Sequence, residues 1–316
     1  MPETLDVLAA ADLCVDLVLR GDVRPRFGQA EQLVEGYALE LGGSACLFAS
    51  QFAKLGGRAG VAGFLGADLF GRFARERLAE CGVEVSRVRA RTGLQTGLGL
   101  ALAAPDDRAI LTCLGSIDAA EPEDLDPAWL GACRHWHIAS YFLLRKLRPH
   151  WPAWLRRARE AGVTVSLDPN FDPDERWAGV RELLPLVDVF LPNATEARAI
   201  AGVGDLREAG RRLAARGPLT VIKCGAEGVL AFDGTRAFER VAEPAPRIAD
   251  AIGAGDCFDA GFLRAWQAGL ELGACLAWGQ RCAAASLAEP GGVRGQLACM
   301  ADAFRVGSGR MKEASV

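Results

Sequence analysis

Apolar residues follow two alternating patterns along this chain, one with helical spacing and one of short continuous runs. Leu47, Phe48, Phe52 and Leu55 recur at helical spacing and predict a helix over residues 43–55. A short apolar run follows it and predicts a strand. Beyond residue 130 the alternation returns, with strands predicted near 136–140, 163–168, 187–191 and 219–224. Strands that alternate with helices predict an α/β fold with a central, mostly parallel sheet flanked by helices.

Two β-rich segments, at about 12–40 and 84–113, do not fit this alternation. They predict short strands that form either a small separate sheet or extra edge strands of the main sheet. The chain has no internal repeat, no low-complexity segment and no linker rich in Pro, Gly or Ser. We therefore expect one domain over residues 1–316.

Charge and composition exclude several classes of function. With 36 basic and 40 acidic residues the formal charge is −4, so no broad basic surface for nucleic acid is expected. No apolar run approaches the length of a membrane span without a charge or a glycine, and the first residues do not resemble a signal peptide. We expect a soluble, cytoplasmic protein that binds neither nucleic acid nor membranes.

The ten cysteines and three histidines do not predict a metal site. The cysteines form no C-x-x-C pair and lie among apolar neighbours, which is typical of reduced core residues. His135 and His137 share one strand face, but no further ligand lies nearby in sequence. We expect no structural zinc.

The most informative segment is the turn over 250–256, which precedes an apolar-periodic helix predicted to begin near Ala254. The free amides of the first turn, including those of Gly253, Ala254 and Gly255, predict an anion site. Asp256 lies directly after the glycines, where a general base would be needed. An alternative is that Asp256 only stabilises the helix N-terminus.

This turn, followed by Phe258, resembles the C-terminal signature of the ribokinase-like carbohydrate kinases, the PfkB family. The resemblance extends from about Leu5 to Gly292. It implies transfer of the γ-phosphoryl group of ATP, with Asp256 as general base and the amides of 253–255 as anion hole. It also implies magnesium, a potassium ion near Asp250, and a lid built by the β-rich segments.

Other residues match the substrate motifs of the family. Asp16 corresponds to the aspartate that holds a substrate hydroxyl, and Asp12 is an alternative on the same strand face. Gly42 and Gly43 match a glycine pair on which the substrate rests. Leu47 stands where the family usually carries Asn, so it either accommodates a less polar substrate edge or is core packing.

Two polar motifs follow predicted strands. Asp168 and Asn170 end an apolar strand and either face the substrate, phosphates or metal, or form an Asx-turn. Asn193 and Glu196 match a family motif in which Glu orients metal-bound water, and they equally fit a capping box. Both roles are compatible.

The remaining nucleotide-side candidates lie later in the chain. Lys223, Gly225 and Gly228 form a turn that lies beside the nucleotide in the family, although a hairpin would have the same pattern. Gln280 aligns with an Asn of the family. It belongs to a late helical segment, about 272–288, expected to cover the adenine.

The predicted function is that of an ATP-dependent kinase acting on a hydroxyl of a sugar or related polyol. Two alternatives stay open: a nucleoside kinase of the same family and a non-catalytic sensor of sugars or nucleotides. A homodimer formed through the lid is a further expectation. A dinucleotide oxidoreductase is disfavoured, because the glycine turn lacks the third glycine of G-x-G-x-x-G and lies in the last quarter of the chain.

Overall fold

The computed structural model describes residues 4–103, 108–234, 236–242, 248, 251–289, 291–299 and 301–304. The strands are β1 (Val7–Ala10), β2 (Cys14–Arg20), β3 (Gly36–Gly42), β4 (Ala59–Gly66), β5 (Glu84–Arg91), β6 (Gly97–Ala103), β7 (Arg108–Cys113), β8 (His135–Ile138), β9 (Thr164–Leu167), β10 (Val189–Phe190), β11 (Leu219–Lys223), β12 (Val229–Asp233) and β13 (Arg236–Arg240). The α-helices are α1 (Ser44–Lys54), α2 (Leu69–Glu80), α3 (Trp151–Glu160), α4 (Val180–Leu183), α5 (Ala194–Ala201), α6 (Leu206–Ala214), α7 (Ala254–Gln267) and α8 (Leu272–Ser286).

The larger sheet has nine strands in the order β13-β12-β11-β10-β9-β8-β1-β4-β5. Its strands from β11 to β5 are mutually parallel, and β12 and β13 pair antiparallel at one edge. The order reverses between β1 and β8, because the chain builds outward on one side first and then on the other. Ligands of open α/β sheets bind at such a switch point, beyond the carboxyl ends of the strands.

Helices bury both faces of this sheet, which explains the continuous apolar runs of its central strands. In β1, Val7 and Ala9 belong to one apolar core, and Leu8 and Ala10 belong to the other. Helices α1, α2, α7 and α8 pack into the first core, and α3 to α6 pack into the second. Among the described residues, no helix combines the length and the apolar character needed to cross a membrane.

The smaller sheet has four strands in the order β3-β2-β6-β7. Strand β5 does not join it, although it lies in the β-rich segment 84–113. Instead β5 pairs parallel with β4, with α2 as the crossover between them. The helix before β5 makes it the second strand of a βαβ unit, whereas β6 follows β5 without a helix between them and pairs antiparallel with β7.

Asp68 connects the two sheets at the start of α2. Its Oδ1 accepts hydrogen bonds from the Gly71 amide at 2.7 Å and from Thr96 Oγ1 at 2.7 Å. Its Oδ2 accepts from the Thr96 amide at 2.8 Å, directly before β6. Asp68 therefore acts as a helix cap and as an anchor for the smaller sheet.

We predict that Asp68→Ala lowers the free energy of unfolding by about 2–3 kcal/mol, since it removes a helix cap and the bonds to Thr96. Urea denaturation measures this loss. Asp22→Ala is the control, because Asp22 pairs with Arg26 at an exposed site and should contribute less than about 1 kcal/mol. An equal effect in the two variants would contradict the assigned role of Asp68.

Candidate active site

Polar residues follow the central strands of the larger sheet at the switch point. Ser140 comes two residues after β8, Asp168 directly follows β9, and Asn193 comes shortly after β10. Lys223 is the last residue of β11. Since parallel strands end at one edge of the sheet, the fold gathers side chains that are far apart in sequence.

The predicted glycine turn and helix start are present. Gly253 has a φ of 74° and precedes α7, whose first intrahelical bond runs from the Cys257 amide to the Gly253 carbonyl. Within the described chain the amides of Gly255 and Asp256 donate to no protein acceptor. The first turn of this 14-residue helix therefore presents free N–H groups and the positive end of the helix dipole.

Leu47 explains why residue 253 has no side chain. A methyl group on Gly253 would lie 2.8 Å from Leu47 Cδ1, and one on Gly292 would lie 3.0 Å from Leu47 Cδ2. Leu47 is only 3% exposed. These contacts support the interpretation of Leu47 as a packing residue, whose side chain lies against the glycine turn.

Asp256 lies in the first turn of α7 and is 7% exposed. Burial raises the pKa of Asp256 to about 8, and the charge of Asp168 adds to the increase. Lys223 and a hydrogen bond with Ser44 oppose it. A buried carboxyl group with a pKa near neutrality is suited to proton transfer.

Lys223 lies beneath the glycine turn, between two carboxylates. Its Nζ is 2.7 Å from Asp168 Oδ2 and 3.0 Å from Asp259 Oδ2. A methyl group on Gly255 would lie 3.5 Å from the same Nζ. Although burial alone would lower the pKa of Lys223, the charges of Asp168 and Asp259 raise it above its usual range.

The sequence analysis missed Asp259, which is fully buried. Its position three residues after Asp256, on the same face of α7, was the available signal. Asp168, predicted as a substrate residue, is also buried and paired with Lys223. Asn170 lies beside it in an Asx-turn, with its amide 3.2 Å from Asp168 Oδ1.

Asn193 and Glu196 form the capping box of α5. The Glu196 amide donates to Asn193 Oδ1 at 2.9 Å, and the Asn193 amide donates to Glu196 Oε2 at 2.8 Å. Burial raises the pKa of Glu196 to about 7, assisted by the charge of Asp168. In the described part of the chain no three acidic, His or Cys side chains form a metal cage. Asn193 and Glu196 offer oxygen atoms, which suit a magnesium ion held mainly by phosphates and water.

Asp16 lies in the smaller sheet, where it pairs with Glu40 of β3 and Gly99 of β6. A methyl group on Gly42 would come 2.6 Å from Asp16 Oδ1, and one on Gly99 would overlap the same oxygen. The two glycines therefore leave room around this carboxylate. Gly43, with a φ of 85°, lies against the Asp12 carbonyl, which a methyl group there would overlap.

The sequence analysis allowed Asp12 to share a strand face with Asp16, but Asp12 does not belong to the strand. It precedes β2 in a left-handed conformation, with a φ of 55°, and is 2% exposed. Burial raises the pKa of Asp12 to about 6 against hydrogen bonds from Ser140 and two backbone amides. Asp12 is therefore a buried part of the strand ends.

The nucleotide-side candidates gather near the end of β13. Gly225 and Gly228 both have positive φ, and a methyl group on Gly228 would overlap the Arg240 carbonyl. Gln280 Oε1 accepts from Arg240 Nε at 2.7 Å, and its Nε2 donates to the Val241 carbonyl at 3.2 Å. Gln280 is thus engaged with the backbone beside the turn. Asp250 lies outside the described residues.

The histidines and cysteines have structural environments. His135 and His137 are buried, and both share hydrogen bonds with Ser166. Burial lowers the pKa of each histidine to about 3, so both are neutral. All ten cysteines are free thiols.

Comparisons with known proteins agree with this geometry. The family model of the pfkB family carbohydrate kinases matches residues 6–297. The chain is 30% identical to an ATP-dependent ribose-1-phosphate kinase of Halopiger xanaduensis, over 90% of this chain and 93% of that protein. It is 31% identical to fructoselysine 6-kinase of Escherichia coli, over 78% and 89%.

The fold also matches solved structures. Ribokinase of Arabidopsis thaliana, complexed with ribose and ATP, superposes with a TM-score of 0.78 at 22% identity, over 93% of this chain and 96% of that one. The predicted ribokinase-like fold is confirmed, as is the prediction of a kinase with a hydroxyl acceptor. The chain belongs to the PfkB family of carbohydrate kinases.

Proposed function

We propose that this kinase transfers the γ-phosphoryl group of ATP to a hydroxyl of a sugar or sugar derivative, with Asp256 as general base. The observation that carries the proposal is the combination of a buried carboxylate with free amides in the first turn of α7. Both lie near the carboxyl edge of the larger sheet, where Gly255 is close to Lys223 at the end of β11. The names of the relatives support ATP as donor and a sugar derivative as acceptor.

In this mechanism Asp256 accepts the proton of the attacking hydroxyl group. The amides of Gly253, Ala254 and Gly255 bind the transferring phosphoryl oxygens, where the helix dipole stabilises their charge. Asp16 accepts hydrogen bonds from other hydroxyl groups of the acceptor. Positioning and electrostatic stabilisation account for most of the catalysis in phosphoryl transfer.

We assign the nucleotide phosphates to the side of Asn193, Glu196 and Lys223. Magnesium neutralises charge on these phosphates when it is bound, and Glu196 would orient its water ligands. Gly225, Gly228 and Gln280 would flank the nucleotide. The resemblance also suggests a potassium ion near Asp250.

Ten free thiols and the use of ATP support a cytoplasmic location.

We also propose that the whole chain works as one kinase domain and that the smaller sheet is its lid. Asp16 supports this role, because it places an acceptor-binding carboxylate on β2, whereas the base lies on α7. An acceptor that contacts both Asp16 and Asp256 would hold the lid against the larger sheet.

We predict that Asp256→Asn lowers turnover by ~10²- to 10⁴-fold, because the variant cannot accept the proton. The affinity for ATP should change little, since the amides of the turn remain. ADP release in a coupled assay, over a panel of hexoses, pentoses, ribose 1-phosphate, fructoselysine and nucleosides, measures turnover. Isothermal titration measures ATP affinity.

The acceptor panel also separates the alternatives. Turnover only with nucleosides would favour the nucleoside kinase. ATP and sugar binding without turnover in the wild-type protein would favour the non-catalytic sensor. Near wild-type turnover in Asp256→Asn would refute the assignment of the base.

We predict that Lys223→Met lowers the free energy of unfolding by roughly 3–5 kcal/mol, because the buried charge of Asp168 is left without a cation beside Asp259, whose pKa burial already raises. Without Lys223 the folded-state pKa of Asp168 should exceed that of the unfolded chain. Acidification should therefore reduce the loss, since protonation removes the buried charge. Urea denaturation at several pH values measures both effects. Lys223→Arg is the control that keeps the charge.

We further propose that the lid forms a homodimer. Leu39, Leu17, Leu100 and Leu111 lie side by side across its four strands, on the face opposite Asp16. Leu111 is 59% exposed, and Tyr37, on the same face, is 73% exposed. An apolar row of this length is typical of a contact surface. A second copy would present the same row, as two-fold symmetry requires.

We predict that Leu111→Glu converts this dimer to monomers, because it would place charges inside the contact. Light scattering coupled to size-exclusion chromatography measures the mass. Leu69→Glu is the control, since Leu69 is 67% exposed on α2 and does not lie on the strands of the lid. A wild-type monomer at all concentrations would refute the dimer.

A further inference from the structure

A second attachment of the smaller sheet to the rest of the molecule lies at its edge strand β3. Glu40 belongs to β3, and its side chain is only 5% exposed. Arg294 Nη2 lies 2.9 Å from Glu40 Oε1. Arg294 does not belong to the sheet but to the segment 291–299, which follows α8. The ion pair therefore joins the smaller sheet to the larger part of the molecule.

This segment is fastened along α1. Gln51 makes two hydrogen bonds with Leu297: its Nε2 donates to the Leu297 carbonyl at 2.7 Å, and the Leu297 amide donates to its Oε1 at 3.1 Å. Lys54 Nζ donates to the Val293 carbonyl at 2.7 Å. Lys54 lies three residues after Gln51, so both side chains share one helix face. Arg294 therefore extends from a backbone that is held on both sides.

The same segment lies against the glycine turn that precedes α7. A methyl group on Gly253 would be 3.4 Å from Gly292 Cα. Gln296 Nε2 donates to the Leu47 carbonyl at 2.9 Å, and the Leu47 side chain packs against both glycines. One short segment thus supports the glycine turn and reaches the smaller sheet through Arg294.

The side chain of Glu40 is fixed by packing as well as by charge. Gly291 has a φ of 79°, and a methyl group there would lie 2.5 Å from Glu40 Cγ. Burial raises the pKa of Glu40, and the charge of Arg294 opposes this increase. Apolar packing can stabilise a fold as well as a buried ion pair does, whereas removing one partner of the pair leaves an uncompensated charge. The pair is therefore suited to fixing a geometry.

Glu40 lies directly opposite Asp16 in the antiparallel pairing of β3 with β2. Residues that are opposite each other in such a pair place their side chains on the same face of the sheet. The ladder connects the two strands along their whole length, so a shift of β3 at Glu40 would carry Asp16 with it. The position of Asp16 thus depends on what holds Glu40.

We propose that Arg294 is a positioning residue of the acceptor site, which acts through Glu40 to hold Asp16 at a fixed distance from Asp256. This inference rests on the proposed roles of Asp16 and Asp256. Neither Arg294 nor Glu40 has to touch the acceptor. Their ion pair fixes the lid with respect to the segment that supports the glycine turn, so the two ends of the acceptor meet groups that are already aligned.

Arg294→Met removes the cation and keeps an apolar stem. We expect the KM for the most active acceptor of the panel to rise about tenfold, since Asp16 is no longer held in place. The kcat at saturating acceptor and the KM for Mg·ATP should change little, because the base and the glycine turn remain. A rise of KM alone indicates lost binding rather than lost catalysis. Arg294→Lys keeps the cation and should retain the acceptor KM.

Amide hydrogen exchange, measured by mass spectrometry, tests the attachment without any acceptor. In Arg294→Met the amides of β3 should exchange faster than in the wild-type protein, because opening of this edge strand no longer separates the ion pair. The amides of β11, in the larger sheet, should exchange at the wild-type rate. This difference distinguishes a loosened lid from a general loss of stability.

Arg212→Met is the matched control. The Arg212 side chain is 53% exposed and pairs with Glu208 on α6, while that of Arg294 is 60% exposed. This variant should alter neither the acceptor KM nor the exchange of β3. Glu40→Gln removes the other partner of the ion pair. Combined with Arg294→Met, it should raise the KM by less than the product of the two single effects, because both variants break the same pair.

Three outcomes decide the inference. An unchanged acceptor KM or an unchanged exchange of β3 in a folded Arg294→Met protein overturns it, as does an equal effect of Arg212→Met. If Arg294→Met does not fold by circular dichroism, Glu40→Gln carries the test with the same two measurements. A wild-type protein without kinase activity would refute the proposed function instead, and the exchange of β3 would still show whether Arg294 holds the lid.

Discussion

The ammonium group of Lys223 holds the centre of the molecule together. It joins the end of β11 to Asp168, beyond β9, and to Asp259 on α7. Without this cation the charge of Asp168 would be buried next to two further carboxyl groups, Asp259 and Asp256, whose pKa values are raised by burial. With it, the charge of Asp168 is balanced, and the glycine turn lies beside the resulting ion pair. The free amides of α7 are therefore available for an external anion.

The sequence predicted the parts of this site that depend on local pattern. The Gly253–Asp256 turn is recognisable because helix spacing begins immediately after it, and the strand ends are recognisable because apolar runs stop there. The fold class followed from the alternation of strands and helices. Asn193 and Glu196 were identified with both of their interpretations, and the structure contains the capping box.

Other features depend on long-range contacts and could not be predicted in this way. The partners of Lys223 lie 55 and 36 residues away. The hydrogen bond from the Ser140 amide to Asn170 Oδ1 requires the ends of β8 and β9 to be neighbours. Leu47 had two interpretations, and its contact with Gly253, which supports the packing one, joins residues far apart in the chain. Strand β5 was grouped with β6 and β7 because turns rather than helices were expected between them, while its pairing partner is set by the helix before it.

Asp16 lies on β2 of the smaller sheet and Asp256 lies on α7, so the proposed mechanism gives the enzyme a means of excluding water as an acceptor. Water is the most abundant hydroxyl compound in the cell, and it is too small to contact both carboxylates at once. A polyol can reach the base with one hydroxyl group and β2 with another. If the two aspartates act as proposed, their separation would favour an acceptor long enough to contact both, and the reach of the substrate rather than its charge would limit ATP hydrolysis.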